Sequence, residues 1–571
     1  MADTQTSRWI PKTNRWFMVI PLILGSFLFM LNETIANVAL PYMAGGFSIS
    51  HEESIWILTS YLVSSSILIS TVDFFSKLIG RKNFLIACLL LFTIASFLCG
   101  ISHSLGMIVI ARVLQGIGGG PILPITQAII LELFEEKEQA VPIAIFGLVV
   151  VLAPVIGPVI GGWLTLNWSW SWIFYINIPP GLLAVYLGYK FLEDPPYAAK
   201  EKNVTVDALG FVFLALFIST LQIILDKGNN ADWFGSAWVC WFAFVCAVSF
   251  ICFLIRELTI KHKEPLCDLR VFADKNFLIG TVVQFIVYAI LLASMALLPQ
   301  FLQLLMGYDS LLSGFAMMPR GVGATIGLVI FGIFSNRMDN RVLVVVGILC
   351  LCYASIDLMK INLSVSSASV GIPNFLYGAG MALALVPVIT LSCNTLAKTQ
   401  MTNAAGLQSL ARNIGGAIGT SVSATALTRY SQIHQNYLVD NLSQFNNVYL
   451  LKIQGLTQQF SQYTDQFLAN YMGDTMLYNI LIQQSTLKAF ISVFEWCALA
   501  SFVIIPLIFF ISNPNAIPSI VPDYAKTERN TLIKLILTMV FRSVSDNEII
   551  DGIRIIATLL SSDILNFLKF I

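Results

Sequence analysis

The chain has 571 residues, of which 57% are hydrophobic and only 11% are charged, and its formal net charge is zero. Soluble domains carry about 25% charged residues, so this composition excludes an ordinary water-soluble protein. The balanced charge offers no case for nucleic-acid binding, and the mean hydropathy of +0.79 predicts a polytopic membrane protein.

Apolar runs of about 20 residues, long enough to cross a bilayer as α-helices, recur along the whole chain. Helices are expected because hydrocarbon cannot satisfy the hydrogen bonds of an open backbone. The first run is predicted to be a retained span, since no small-residue cleavage site follows it. We predict fourteen spans, at residues 16–38, 55–75, 83–101, 105–128, 140–164, 170–191, 206–226, 234–256, 276–300, 311–334, 341–361, 367–393, 404–427 and 487–511.

The loops between these spans differ in charge from one side to the other. If the N-terminus is inside, the outer side holds only five of the 32 basic residues, Lys227, Lys360, Arg429, Lys452 and Lys488. Cytoplasmic loops carry the excess of Lys and Arg, so both termini are predicted to be cytoplasmic.

Two regions are predicted to lie outside the bilayer. Residues 428–486, rich in Gln, Asn and Tyr, are expected to form an outside loop that contains short amphipathic helices. Residues 512–571 are expected to form a cytoplasmic tail. Its last part is amphipathic, and we interpret it as a helix on the membrane surface rather than a fifteenth span.

The first span carries polar residues in the segment LNETIANVALP, residues 31–41. Glu33 and Asn37 are one turn apart and share a helical face. Removal from water disfavours the charged form of a carboxylate, so Glu33 could load and release a proton near neutral pH. The alternative is that Glu33 lies at the wet outer interface and stays ionised.

Three arginines, Arg112, Arg320 and Arg412, fall inside predicted spans. Such arginines are costly and usually face a bundle interior or a wet cavity, which is our prediction for Arg112. For the other two, which are nearer to predicted ends, a misplaced boundary and snorkelling are an equally good explanation. The remaining acids of interest are Glu495 in the last span, and Asp226 and Asp357 at span ends, which we interpret as interfacial caps.

Signals for enzyme chemistry are missing from the sequence. The ten cysteines include no CxxC pair, the four histidines fall in predicted loops, and no GxxxxGK[ST] loop is present. We therefore predict no metal, no cofactor and no catalytic site. A transporter and a non-transporting membrane scaffold or sensor both remain compatible with these observations.

Six segments, in order along the chain, resemble the motifs of the EmrB/QacA-type 14-span drug:proton antiporters of the major facilitator superfamily. The likeness covers residues 15 to about 512. The segments are LNETIANVALP, RVLQGIGGG at residues 112–120, APVIGPVIGG at 153–162, WSWIFYINIPPG at 170–181, LQIILDKGNNADWF at 221–234 and LARNIGGAIGTSV at 410–422.

The resemblance implies an all-α major facilitator fold, with six-helix halves at residues 1–192 and 276–511. Two inserted helices would occupy residues 193–275. It also implies alternating access with a site near the midplane, and export of hydrophobic drugs or toxic lipophiles against an inward flow of protons. An alternative within the same fold is a proton-coupled exporter of one dedicated substrate, such as a siderophore, a fatty acid or a metabolite.

The resemblance also suggests roles for individual residues. Proton coupling would involve Glu33, Arg112 and Glu495. Substrate binding would involve Asn37, Gln115, Gln408 and Arg412. The antiporter motif of the fifth span would comprise Pro154, Gly157, Pro158, Gly161 and Gly162, whose small residues permit close helix packing.

Two departures from the family pattern stand out. The first-span motif usually begins Leu-Asp, but here Asn32 occupies that position and the acid is its neighbour Glu33. The inner loop between spans two and three reads DFFSKLIGRK, with Lys77 at the usual aspartate. Of the expected gating-loop residues Asp73, Gly80, Arg81 and Lys82, the first replaces a glycine, so the family's gating salt bridge is in doubt here.

The outside loop also resembles the EmrB-like branch, including the GLTQQ segment at residues 455–459. This likeness implies a multi-pass protein of a bacterial inner membrane. It further implies a tripartite pump that includes a periplasmic adaptor protein and an outer-membrane channel.

Overall fold

The computed structural model describes residues 11–511, apart from residues 135–137, 196–206, 260–265, 309, 336–337, 364–366, 441 and 444. The predicted tail at residues 512–571 lies outside the described residues. All regular secondary structure in the described part of the chain is helical, as the composition predicts.

Nineteen α-helices follow one another along this part of the chain. The first ten are α1 Arg15–Phe47, α2 His51–Ser54, α3 Trp56–Ser70, α4 Val72–Ile79, α5 Arg81–Gly100, α6 Leu105–Gly119, α7 Ile122–Leu133, α8 Ala140–Asn167, α9 Trp172–Tyr175 and α10 Ile178–Phe191. The others are α11 Ala208–Lys227, α12 Ala237–Thr259, α13 Lys275–Leu304, α14 Ser310–Phe334, α15 Asn340–Leu358, α16 Ser367–Cys393, α17 Met401–Val439, α18 Asn447–Phe460 and α19 Gln466–Ile508.

The number of spans supported by length and hydropathy is smaller than the predicted fourteen. Within the described residues, eleven helical segments are long and apolar enough to cross a membrane, with α6 and α7 counted together as the segment Leu105–Leu133. Helices α3 and α4, bent by 64°, would together be a twelfth. Helix α10 has only 14 residues, and α17 is rich in small and polar side chains, so the predicted spans 170–191 and 404–427 do not qualify. The count of fourteen stays a prediction.

The predicted outside loop is largely helical. Helix α17 continues to Val439, α18 follows, and α19 begins at Gln466. The expected short amphipathic helices are therefore only part of this region, because the helices on either side extend well beyond the predicted span ends at 427 and 487. A helix can continue beyond the hydrocarbon core into water, and there its side chains can be polar.

Two ends of the helical bundle can be defined by their contacts. At the first, which we call the Arg81 end, Arg15 at the start of α1 pairs with Glu138 before α8 at 2.9 Å, and Arg81 at the start of α5 pairs with Glu132 near the end of α7 at 2.8 Å. At the opposite end, which we call the Trp170 end, the ring of Trp170 packs on Phe47 at the end of α1.

Helices α1, α3, α5, α6, α8 and α10 pack on one another, and so do α13, α14, α15, α16, α17 and α19. Helix α8 joins the two groups, because it packs on α1 on one side and on α14 on the other. Helix α11 packs on α3 and also on α17. Leu214 and Ile218 of α11 belong to one apolar cluster with Ile67 of α3 and Leu407 of α17.

Candidate transport site

The centre of the first group of helices is the guanidinium of Arg112, which is fully buried. Its Nε donates to the carbonyl oxygen of Ile57 at 3.0 Å, and its Nη1 donates to Asn32 Oδ1 at 3.0 Å and to Gln115 Oε1 at 2.8 Å. It lies over the ring of Tyr61 at 4.1 Å. Three acceptors and an aromatic face therefore hold this charge in place, as a buried cation requires.

A glycine makes this arrangement possible. Gly116 lies one turn after Arg112, and a Cβ at this position would collide with the Ser64 hydroxyl and come within 2.6 Å of the carbonyl oxygen of Tyr61. Without a side chain here, α6 approaches the backbone of α3 closely. The Arg112 side chain can then reach the carbonyl at the start of α3.

Glu33 lies next to this cluster. Its half-buried side chain interacts electrostatically with Arg112 and Tyr61, and also with Tyr288 of α13. Because α1 and α13 belong to different groups of helices, Glu33 faces the interior space between them. Asn37, one turn further toward the Trp170 end, is exposed.

Asn32 occupies the position nearest to the arginine. Its Oδ1 accepts from Arg112, while its buried Nδ2 has no hydrogen-bond partner. Among the described residues, no carboxylate forms an ion pair with Arg112. The one-residue shift of the acid therefore leaves the arginine held by neutral acceptors, with the carboxylate of Glu33 close by but not bonded to it.

Gln115 is part of the same buried network. Its Oε1 accepts from Arg112 and its Nε2 donates to Ser96 Oγ on α5 at 2.8 Å. The side chain is fully buried. In this structure Gln115 therefore bridges α5 and α6, whereas the resemblance implied a role in substrate binding.

A second polar cluster, which we call the glutamine latch, joins the two groups of helices. Gln127 Nε2 of α7 donates to Gln408 Oε1 of α17 at 2.7 Å, and Arg412 Nη2 donates to Gln127 Oε1 at 3.0 Å. Arg412 Nη1 also donates to Gln284 Oε1 of α13 at 2.7 Å. All four residues are buried. Because Gln127 lies near Glu132 in α7, the latch closes the space between the groups toward the Arg81 end.

An apolar crevice lies beside the latch. It runs between α8 and α16 and ends at Arg412. Its other lining residues are Phe146, Gly147, Val150, Val151, Leu385, Val386 and Ile389. The crevice has room for about one water molecule, so it is closed to a substrate in this structure.

The residues of the antiporter motif lie on α8, where it meets α1 directly after Glu33. A Cβ at Gly157 would collide with the Thr34 hydroxyl, and one at Gly161 would lie 2.9 Å from the carbonyl oxygen of Ile35. Gly162 is less crowded, at 3.7 Å from Val38. Pro154 and Pro158 lie inside α8, which continues through both of them. The motif therefore sets how closely α8 approaches the helix that carries the acid.

The gating-loop residues form several contacts at the Arg81 end. Arg81 forms its buried ion pair with Glu132, and the backbone N–H of Lys82 donates to both carboxylate oxygens of Asp194. Burial raises the pKa of Asp194, and these hydrogen bonds offset part of the increase. Gly80 has a φ of +94°, a conformation that favours glycine.

Asp73 pairs with Lys77 at 3.1 Å within α4. The loop between spans two and three thus has the ion pairs Asp73–Lys77 and Arg81–Glu132. The family's usual aspartate cannot take part, because Lys77 occupies its position.

Two predicted residues lie apart from Glu33. Glu495 of α19 is half-buried, and its helix packs mainly on α13, α15, α17 and α18. Arg320 is fully buried in α14, where its three guanidinium nitrogens have no hydrogen-bond partner and it lies 5.0 Å from the ring centre of Tyr377. Neither Arg320 nor Arg412 snorkels to a surface, so the alternative of misplaced boundaries is wrong for both.

The sequence analysis missed several residues of these clusters, namely Tyr61, Gln127, Glu132, Gln284 and Tyr288. A signal was present for two of them. Gln127 and Gln284 are amide side chains inside apolar runs, where each needs a hydrogen-bond partner. Their partners, however, lie on helices distant in sequence.

The sequence and the fold both resemble those of known transporters. The family model described as Major Facilitator Superfamily matches residues 22–420. The multidrug export protein EmrB of Escherichia coli (strain K12) is 33% identical over 451 residues, which cover 77% of this chain and 87% of that protein. The probable multidrug resistance protein EmrY of the same organism is 29% identical over 504 residues, 87% of this chain and 96% of that protein.

A solved structure, the human organic anion transporter MFSD10 (TETRAN), matches the fold with a TM-score of 0.54 at 13% sequence identity. It covers 86% of this chain and 100% of that one. At this identity the likeness concerns the fold alone.

Proposed function

Because the chain belongs to the major facilitator superfamily, we propose that it exports lipophilic drugs or other toxic lipophiles in exchange for protons. The observation that carries the proposal is the position of Glu33. This half-buried carboxyl lies between the two groups of helices, within electrostatic reach of a buried arginine that has no ion-pair partner among the described residues.

The proton step uses the pair of Glu33 and Arg112. An ionised Glu33 is attracted to the guanidinium, and protonation removes that attraction. Because Arg112 is held by Ile57 of α3 and Asn32 of α1, a change in this attraction acts on the packing of these helices. A ligand changes a conformational equilibrium only by binding two states unequally. The proton on Glu33 does so if the distance between Glu33 and Arg112 differs between the two states of the proposed cycle.

Alternating access requires the glutamine latch to break. In this structure the latch closes the Arg81 end, while Asn37 is exposed on the side of the Trp170 end. Opening of the Arg81 end would separate Gln127 from Gln408 and Arg412. In this proposal Gln408 and Arg412 act first as closing residues, and Arg412 meets substrate at the end of the apolar crevice.

The Arg81 end is the cytoplasmic end in this proposal, with both termini in the cytoplasm of a bacterium and the protein spanning its inner membrane. The basic residues of the inner loops support this orientation. The proposed division into two six-helix halves with α11 and α12 inserted between them agrees with the packing of the helices.

The partners proposed at the Trp170 end are a periplasmic adaptor and an outer-membrane channel. The support is the region of α18, its preceding connection and the start of α19, which exposes large apolar side chains, with Phe445 97% exposed and Tyr463 and Phe467 each 83% exposed. The double substitution Phe445→Ser with Phe467→Ser should abolish drug resistance in cells but leave transport in proteoliposomes intact. A loss of both activities would argue against the adaptor.

The test of the proposed function is export from proteoliposomes with an imposed pH gradient, assayed with a panel of lipophilic dyes of different charge. Wild-type protein should export several of them, and Glu33→Gln should abolish export without loss of folded protein. Glu53→Gln is the matched control, because Glu53 is an exposed carboxylate that caps the short helix α2 after α1.

Dye export at the same rate with and without the pH gradient would contradict the proposal, and so would normal export by Glu33→Gln. Export of a single compound would favour the dedicated transporter instead.

A further inference from the structure

The turn between α11 and α12, residues 226–234, contacts both groups of helices at the Trp170 end, and we call it the bridging turn. On one side, the Thr59 hydroxyl of α3 donates to Asp226 Oδ2 at 2.7 Å. Gln222, one turn earlier on α11, donates to the other carboxylate oxygen at 3.2 Å. The carboxylate is thus directed toward α3, and Asp226 is not the interfacial cap that its place at a span end indicated.

On its other side, the bridging turn is attached to α17. Trp233 Nε1 donates to the Thr425 hydroxyl at 3.1 Å, and Arg429 pairs with Asp232 at 2.7 Å. Close by, the Ser421 hydroxyl donates to the carbonyl oxygen of Leu225 at 2.7 Å. Asn229 Nδ2 also donates to the Thr428 hydroxyl of α17 at 3.5 Å, and the Lys227 ammonium lies 5.7 Å from the ring centre of Trp56 on α3. The turn is therefore attached to both helices by more than one contact.

The bridging turn is itself compact. The backbone N–H of Trp233 donates to the carbonyl oxygen of Gly228 at 2.8 Å, and the Trp233 ring covers Gly228 so closely that a Cβ there would lie 2.9 Å from it. Asp232 and Trp233 both have positive φ values, of 56° and 50°. A turn held in this way can transmit a displacement from one anchor to the other.

The anchor on α3 is also close to the proton site. Thr59 lies two residues after Ile57, whose carbonyl oxygen accepts from Arg112. The first turn of α3 thus contacts the buried arginine through its backbone and the bridging turn through a side chain. The glutamine latch joins the same two groups of helices near the opposite end of the bundle.

We infer that the bridging turn is a strap that limits the separation of the two groups of helices at the Trp170 end, with Asp226 and Lys227 as its anchor on α3. The inference rests on the proposed alternating access. It gives the inserted helices α11 and α12 a role in transport, because the turn that joins them links α3 to α17. Asp226 is a positioning residue and does not contact substrate.

The experiment measures distances in the full chain in lipid nanodiscs. Spin labels replace Asn167 at the end of α8 and Leu304 at the end of α13, both exposed, in a background whose native cysteines are replaced. The first variant, Thr59→Val with Lys227→Met, removes the described polar contacts with α3. The second, Thr425→Val with Thr428→Val, Arg429→Met and Ser421→Ala, removes the described polar contacts with α17.

Each variant should shift the distance distribution to longer values and change the turnover of dye export several-fold, with dye affinity unchanged. The combined variant should match either one alone, because removal of either set of contacts already disconnects α3 from α17 through the turn. Thr59→Ser with Lys227→Arg, which keeps the hydroxyl and the cation, should retain the wild-type distribution. Thr475→Val is the control, since the Thr475 hydroxyl donates to Tyr471 of its own helix.

Unchanged distances in both variants, or shifts that add in the combined variant, would overturn the strap. These distances are measured without substrate or a pH gradient. Failure of the proposed transport activity would therefore be seen separately, as absent dye export by the wild-type protein.

Discussion

Arg112 and Arg320 are both fully buried and both lie over a tyrosine ring, but their environments differ. In the first group of helices the tyrosine is on α3 and the arginine on α6; in the second the arginine is on α14 and the tyrosine on α16. Arg112 has three acceptors and an acid nearby, whereas no guanidinium nitrogen of Arg320 has a hydrogen-bond partner.

This difference favours the first group of helices as the site of the proposed proton coupling. A buried charge is costly unless it is paired and hydrogen-bonded. Around Arg112 the cost is offset by acceptors from three helices, and Glu33 lies nearby. Around Arg320 the aromatic face of Tyr377 is the interaction that the described residues show.

The largest expected effect comes from Arg112→Met. The substitution removes the described donor of the buried Asn32 Oδ1, at a cost of about 1–3 kcal/mol, and removes the charge near Glu33. The carbonyl of Ile57 and the Gln115 Oε1 lose their bonds to the guanidinium but keep donors in Ser60 and Cys99. Thermal unfolding should occur at lower temperature, and pH-driven dye export should be lost. Arg320→Met is the control. If both variants lose the same stability and the same dye export, the two arginines do not differ in the way proposed here.

The second prediction concerns the position of the acid. Asn32→Asp places a carboxylate directly on Arg112, where Asn32 now accepts a hydrogen bond. If a carboxylate near Arg112 is what couples transport to protons, the double variant Asn32→Asp with Glu33→Gln should recover part of the export that Glu33→Gln loses. The measurement is initial export rate against imposed pH gradient. No recovery by a well-folded double variant would show that the exact site of Glu33 matters more than proximity to the arginine.

The smallest expected effect comes from Arg320→Met. Replacing a buried charge that lacks hydrogen bonds by an apolar side chain of similar length should be neutral or stabilising, by about 1–4 kcal/mol. Unfolding in detergent at increasing temperature measures the change, with dye export as the second readout. Strong destabilisation would mean that the contact with Tyr377 contributes more than its geometry indicates.

The comparison also shows the limits of prediction for the candidate site. Glu33, Arg112 and Arg412 could be identified because a charged residue in an apolar run is rare and costly. Their partners could not. Gln127 and Gln408 are 281 positions apart, and no local pattern indicates that one amide will meet the other. The burial of Arg320 and of Arg412 was likewise undecided from the sequence, because predicted span boundaries are uncertain by a few residues.

The sequence by itself determined that the chain is a bundle of membrane helices, and its motifs indicated the family. Bilayer thickness and the backbone's need for hydrogen bonds leave an apolar chain little choice of secondary structure. Only the tertiary structure decided that Asn32 rather than Glu33 bonds to Arg112, that glutamines close the Arg81 end, and that Asp226 reaches Thr59. These contacts depend on which helix faces meet, and that is set by packing between segments distant in sequence.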